Sequence, residues 1–577
     1  MITKEIARVA QRVFAYLLTL TSYLFLTASC ESMLEKDSDL VKFADEAHLN
    51  NATDTIYSVV GIMKKMQTLA DRTIVLGEIR GDLVDITNSA SSDVRDVALF
   101  NISEGNRFNR PRDYYAVINN CNYFLAYADT ALTNNRNQHI FEKEFAAVKA
   151  YRAWTYLQLA LIYGQVPFIT EPLLDMNIDE SQFPKYDLLQ ICDYFIRDLT
   201  PYTDTELPGY GAIGTIDSRL TYFPINVLLG ELNLWAGHYE EAALSYYRYI
   251  STRNGRNSAW PLGTLTLQWP RDDGKYERYT DGWTQSAFRT MAERYSAEGE
   301  LVTMTPSDSI PSSPNYSSLQ SLFNATSLND GYYSLSPSQA LIRLSGNQVY
   351  CNYTTTGEVG YAPTNLTDNR SGDLRLSSVY TTRNATGNRP VQQEIVKYQY
   401  TTNVHIWRRA MVYLHMAEAL NRAGFPEFAF RILSTGINNN VIAELQEIYP
   451  ERSSWLAQFN FPNTAYVLRT ENPQAYTTLG VHSRGCGFTE YNEFYQMPQG
   501  PIEEQIQAVE DLIVTEEALE LAFEGQRFYD LMRVSLRRND PSYLASRVYA
   551  RRLDGSQSEI NANLTDPQTW YLPLSTR

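Results

Sequence analysis

One pattern occurs twice in this chain, as LLGELNLWAGHYEEAA over 228–243 and as HMAEALNRAGFPEFAF over 415–430. With Glu231 aligned on Glu418, Ala236-Gly237 falls on Ala423-Gly424, Glu240 on Glu427 and Ala242 on Ala429. Each copy predicts a helix stopped by glycine, whose missing Cβ permits a left-handed C-cap. A short turn follows, and then a second helix with acid in its first turn and alanine where the two helices touch. A unit of this kind cannot bury its apolar face alone, so recurrence commits the chain to stacking helical hairpins.

This is the helix–turn–helix grammar of tetratricopeptide repeats. A third helix is predicted over 142–163, where Phe145, Val148, Trp154, Leu157, Leu161 and Ile162 recur at helical spacing before Gly164 and Pro167. Further helical stretches are predicted at 113–128, 185–199 and 515–533. From about Thr252 to Tyr400 the periodicity stops. That region is rich in Ser, Thr, Asn, Gly and Pro, yet it holds Trp260, Trp269, Tyr276, Tyr279, Trp283, Tyr295, Tyr332 and Tyr333. So many aromatic residues argue against disorder. The expectation is a large irregular insertion, the usual carrier of a binding surface on a repeat scaffold.

The first residues carry a different signal. Lys4, Arg8 and Arg12 precede the apolar run VFAYLLTLTSYLFLTA, and Ala28-Ser29 lead into Cys30. Basic, apolar, small, then cysteine is the order of an export signal whose cleavage site is also a lipid attachment site. Thr27 stands where such signals usually have Leu. The run is too short and too broken by Thr and Ser for a spanning helix. This predicts a signal peptide over 1–29, a lipidated acidic tether over 30–40 and one domain over 41–577.

Charge narrows the partners. Asp and Glu number 66 against 49 Lys and Arg, a net charge of -17. That balance gives no footprint for nucleic acid and no polybasic patch for anionic lipid, so membrane attachment rests on Cys30. Cys121, Cys192, Cys351 and Cys486 are scattered without framework spacing, which leaves their pairing open. His482 and Cys486 alone are too few ligands for zinc and read as structural. No cofactor or nucleophile motif is present, and no metal is assigned. The chain holds 41 tyrosines, side chains that join a flat apolar face to a hydroxyl.

Four stretches together resemble the SusD/RagB family of outer-membrane nutrient-binding lipoproteins: RAWTYLQLALIYGQVP over 152–167, the repeat around Gly424, EEALELAFEGQRFYDLMR over 516–533, and WYLPL over 570–574. The resemblance implies a mainly α, SusD-like scaffold of tetratricopeptide-like hairpins under an irregular ligand-binding insertion. It implies display on the outer face of the outer membrane and a SusC-type TonB-dependent transporter as partner. It also implies a glycan ligand, or in some members a peptide, and no enzymatic activity.

Within 516–533, Glu524, Arg527, Asp530 and Arg533 are spaced for helical ion pairs, and arginines in reach suit structural carboxylates better than a general acid. Candidate ligand contacts are Arg80 and Asp82 in GEIRGD (77–82), which could equally pair with each other or cap a turn, Asn101 and Asn106 in the loop before Asp113, and Trp269, Tyr276, Tyr279 and Trp283, which either pack the insertion onto the scaffold or form a stacking platform.

Overall fold

The computed structural model describes residues 49, 52–174, 180–251, 271–272, 275–276, 300–308, 312, 316–325, 331–353, 357, 359–361, 372–383, 392–399, 401–463, 477–478, 480–552 and 560–574. The chain divides between Leu49 and Asn50, and the body that follows starts at Asn50. Cys30, Trp269, Tyr279 and Trp283 lie outside the described residues. Tyr276 is placed only as backbone, in a short strand pair of Arg271–Asp272 with Lys275–Tyr276.

The scaffold is built from long helices: α1 Ala52–Ile79, α2 Pro111–Tyr127, α3 Glu142–Tyr163, α4 Leu188–Leu199, α5 Ile225–Ala236, α6 Tyr239–Ser251, α7 Arg409–Arg422, α8 Pro426–Ser434, α9 Ile502–Glu520 and α10 Arg527–Arg538. From α1 to α8, each packs on the next, and α9 packs on α7 and α8. The two repeat copies form equivalent hairpins, α5–α6 and α7–α8, with Gly237 and Gly424 at φ +83° and +93° in the intervening turns. Within the first hairpin, a Cβ on Gly230 would come 2.4 Å from the Tyr246 ring, so a bare backbone lets α5 and α6 close up. Helix α4, expected from 185, starts at Leu188 behind a capping box, and Lys185–Tyr186 is a short strand. Asp187 accepts from the Gln190 amide and Gln190 reaches back to the Asp187 amide.

Helix α3 is buried along most of its length. That explains why apolar residues surround it rather than forming one stripe. Its Trp154 stacks on Phe223 at 4.9 Å, and Phe223 meets Trp407 edge-on at the same separation. Trp407 belongs to the strand Val404–Arg408, which pairs antiparallel with Leu301–Thr305. A register irregularity between His405 and Arg408 breaks the alternation, so Ile406, Trp407 and Arg408 are all buried.

The region expected to be irregular holds several short elements. Besides Leu301–Thr305, Leu335–Pro337 pairs with Val84–Ile86, Cys351–Tyr353 with Val359–Tyr361, and Tyr380–Arg383 with Gln392–Ile395. A helix covers Gln339–Gly346. Among the described residues every sheet is two-stranded, so local turns and side-chain ties, rather than a sheet core, hold this half. Cys121, Cys192, Cys351 and Cys486 are buried free thiols. Among the described residues no helix is long and apolar enough to cross a membrane.

The helix expected over 515–533 is two helices. Helix α9 ends at Glu520, and α10 begins at Arg527. Between them Phe523 and Gly525 have φ of +69° and +78°. This loop is where the chain's distant parts meet.

Candidate functional site

The GEIRGD segment clasps the break between α9 and α10. Glu78 accepts from the amides of Phe523 and Gly525, both at 3.0 Å. Burial pushes its carboxyl up to about 8, against the pull of those two amides. Arg80 is fully buried, with its guanidinium 4.0 Å from the Phe528 ring centre. It donates to the Trp570 carbonyl at 2.7 Å and the Tyr529 hydroxyl at 3.2 Å. Asp82 takes a forked pair from Arg527, at 2.6 and 3.0 Å. Arg80 and Asp82 therefore face the interior, and the bonds they make there are structural rather than the exposed polar pair expected of a ligand contact. Asn106 is likewise buried, bonded to the Asp93 carbonyl and the Phe108 amide. Asn101 is exposed on its loop.

Glu524, Arg527, Asp530 and Arg533 are all ion-paired, but mostly across the fold rather than along one helix as expected. Only Asp530–Arg533 pairs along the helix, at 2.9 Å. Arg533 also forks onto Glu418, the repeat equivalent of Glu231. Glu524 takes Arg408 at 2.7 Å and also Lys397. Glu520 takes Arg408 at 2.6 Å, Arg375 at 3.1 Å and Arg484 at 3.2 Å. Glu516 takes His482 at 2.6 Å and Arg375 at 2.8 Å. Glu516, Glu520 and Glu524 recur every four residues, and this stripe of acid is the anchor for cations from the insertion and the strand after it.

These pairs set an acid limit. Burial alone would raise the Glu520 carboxyl, but Arg484, Arg408 and Arg375 hold it well below its ordinary 4.5; Arg408 and Lys397 do the same for Glu524. A carboxylate depressed in the folded state stabilises the fold above its unfolded value and loses that contribution as pH falls below it. The share of stability these pairs supply, read as the difference in urea midpoint between the parent and Glu520→Gln, is expected to be nearly flat from pH 7 to about 5 and to shrink steeply below that. Glu520→Gln should start lower and fall less.

Two of the features that face solvent among the described residues bear on binding. A cavity of about 870 Å³ opens at the ends of α3, α4 and α5, walled by Tyr163, Leu188, Trp235, Arg537, Tyr571 and Gln568, among others. Arg537 donates to the Leu234 carbonyl at 2.9 Å, so it closes the C-terminus of α5 as well as lining the cavity.

The second is an aromatic patch on the insertion side, formed by Phe488, Tyr491 and Phe494 beside the Val359–Tyr361 strand. Phe494 is 63% exposed, Phe488 45%, Val359 43% and Tyr491 38%. The Phe494 and Tyr361 rings meet edge-on at 5.1 Å. Backbone ties keep these rings out of the core. The Phe488 amide donates to the Cys351 carbonyl at 2.9 Å, Asn492 to the Val349 carbonyl at 2.9 Å, and the Tyr361 hydroxyl to the Tyr491 carbonyl at 3.3 Å. Glu490 and Glu493 are exposed between them. Flat rings interleaved with hydrogen-bonding carboxylates can stack on a sugar and grip its hydroxyls. Sequence reading passed over this patch, although Phe488, Tyr491 and Phe494 recur every three residues with acids between.

No protein-family model matches the sequence, and no curated protein does. Solved structures match across most of the chain. A SusD superfamily protein from Bacteroides vulgatus ATCC 8482 aligns with a TM-score of 0.57 at 15% identity, covering 91% of this chain and 96% of that one. A SusD superfamily protein from Bacteroides thetaiotaomicron VPI-5482 gives 0.54 at 18% identity, covering 90% and 98%. Surface glycan-binding protein A from Bacteroides uniformis gives 0.54 at 14%, covering 91% and 96%.

Proposed function

We propose that this chain, which has the SusD-like fold, is a cell-surface lipoprotein that captures oligosaccharides and passes them to a SusC-type TonB-dependent transporter in the outer membrane. The observation that carries the reading is the exposed Phe488–Tyr491–Phe494 patch, held clear of the core on a helical scaffold similar to that of a surface glycan-binding protein. Asn101 and the aromatic residues Trp269, Tyr276, Tyr279 and Trp283 join the patch as further proposed contacts. Acyl chains on Cys30 would keep the binding face at the membrane surface. The protein then binds and delivers without cleaving.

A glycan array on the form that starts after Cys30 identifies the ligand class. With a hit in hand, calorimetry on Tyr491→Ala/Phe494→Ala is expected to show about a tenfold loss of affinity, since a stacked ring contributes roughly 0.5–1.5 kcal/mol. Unchanged affinity would remove the patch from the site. Binding of peptides but no glycan would replace the ligand class, and new reducing ends on incubation with polysaccharide would replace binding by hydrolysis. Cys30→Ala is expected to move the protein from the membrane fraction to the soluble one.

A further inference from the structure

We infer that His415, Glu517 and Asp530 form a binding site for a divalent transition-metal cation inside the helical scaffold. The three come from α7, α9 and α10, and their ligand atoms all lie within 4.8 Å of one another. They are 0%, 2% and 1% exposed. Four of the inward atoms have no hydrogen-bond partner: His415 Nε2, both carboxylate oxygens of Glu517, and Asp530 Oδ2. Burying a carboxylate with neither oxygen satisfied is costly, and buried polar atoms as a rule find partners. A cation held by one atom from each residue would give all three side chains a partner.

The remaining edges are already held, as the outer shell of a metal site requires. His415 Nδ1 sits 2.6 Å from Glu231 Oε1, which leaves Nε2 pointing at the other two residues. Nε2 stands 3.5 Å from Asp530 Oδ1. Asp530 Oδ1 accepts from Arg533 at 2.9 Å, so Oδ2 is the oxygen left over.

Charge points the same way. Glu418, Glu517 and Asp530 surround the guanidinium of Arg533, which is committed to Glu418 and Asp530 and stands 3.7 Å from Glu517. One imidazole nitrogen with two carboxylates is a mixed donor set. It suits zinc, manganese or cobalt, whereas calcium and magnesium prefer all-oxygen shells. Metal–ligand bonds of about 2.0–2.2 Å need the donors closer than they stand, so the side chains close in on binding. Arg533, which pairs with Asp530, also lines the 870 Å³ cavity.

The full chain, stripped with chelator, is titrated separately with Zn²⁺, Mn²⁺, Co²⁺, Ca²⁺ and Mg²⁺, then desalted and analysed for metal. The expected result is one retained equivalent of a transition metal and a melting temperature raised by several degrees, with no effect of Ca²⁺ or Mg²⁺. Glu517→Gln should weaken that binding at least tenfold, while the metal-free melting temperature stays level or rises because a buried charge is gone. Asp530→Asn provides the same test should Glu517→Gln fail to fold. Retention of no transition metal, or equal affinity in a folded variant, would overturn the site.

Discussion

Replacing Gly525 with alanine is expected to abolish the native fold. Its φ of +78° costs an L-residue roughly 1–2 kcal/mol by itself. The larger effect is contact. A Cβ there would stand 2.5 Å from the Ile74 Cα, which is backbone in the buried C-terminal part of α1 and cannot step aside. Gly77 shows the same closeness from the other side, since its Cβ would meet the Gly525 carbonyl oxygen at 1.7 Å. The two backbones touch, and Glu78 can reach the Phe523 and Gly525 amides only because they do. Alanine would push α1 away and break the bonds of Glu78, Arg80 and Asp82 together. Near-ultraviolet circular dichroism and soluble yield should both collapse. Gly105→Ala is the control, because a Cβ there meets nothing within 4 Å. A Gly525→Ala protein that melts within a few degrees of the parent would show that the clasp tolerates separation.

Arg408→Met carries the second largest effect. Arg408 is 1% exposed and joins Glu520, Glu524 and Glu300. Methionine keeps much of the aliphatic length but leaves those carboxylates short of a cation in the interior. Breaking a buried ion cluster from one side costs about 3–5 kcal/mol. Urea melts at pH 7 should show a loss of that size. The loss should shrink below the ordinary glutamate pKa of 4.5, where the abandoned carboxyls take up protons instead. Adding Glu524→Gln should recover part of it, and the double-mutant cycle measures how much belongs to this one pair. A loss under about 1 kcal/mol would mean that Arg375, Arg484 and Lys397 suffice without Arg408.

The helical hairpins were legible because their causes are local. Periodic apolar residues, a stopping glycine and acid in the next turn lie within a few residues of each other, so α3 and both repeat hairpins fall where the pattern places them. Long-range pairing was not legible. Arg80 and Asp82 read as a polar pair free for a ligand, yet their partners are Tyr529, Trp570 and Arg527, and nothing local to 77–82 names them. The same limit joined α9 to α10 in the sequence reading. The spacing of Glu524, Arg527, Asp530 and Arg533 is helical, while the interruption at Phe523 serves contacts made by α1. Gly525 was the visible warning. In the candidate site, aromatic density pointed to 269–283, which lies largely outside the described residues. The exposed patch instead sits on a segment whose core-facing Asn492 and Tyr495 decide which rings turn outward.

The clasp also sets the order of events in folding. Asp82 and Arg527 are separated by 445 positions, and Arg80 and Trp570 by 490. Closing a loop that long before any of its contacts form slows the search for the native state. A chain emerging N-terminus first holds α1 without its counterpart until nearly all of it has been delivered. Hairpins such as α5–α6 can form early, but the seal between the two ends comes last. Refolding is therefore expected to be slow, and a nascent chain truncated before Arg527 should stay open to proteases along α1.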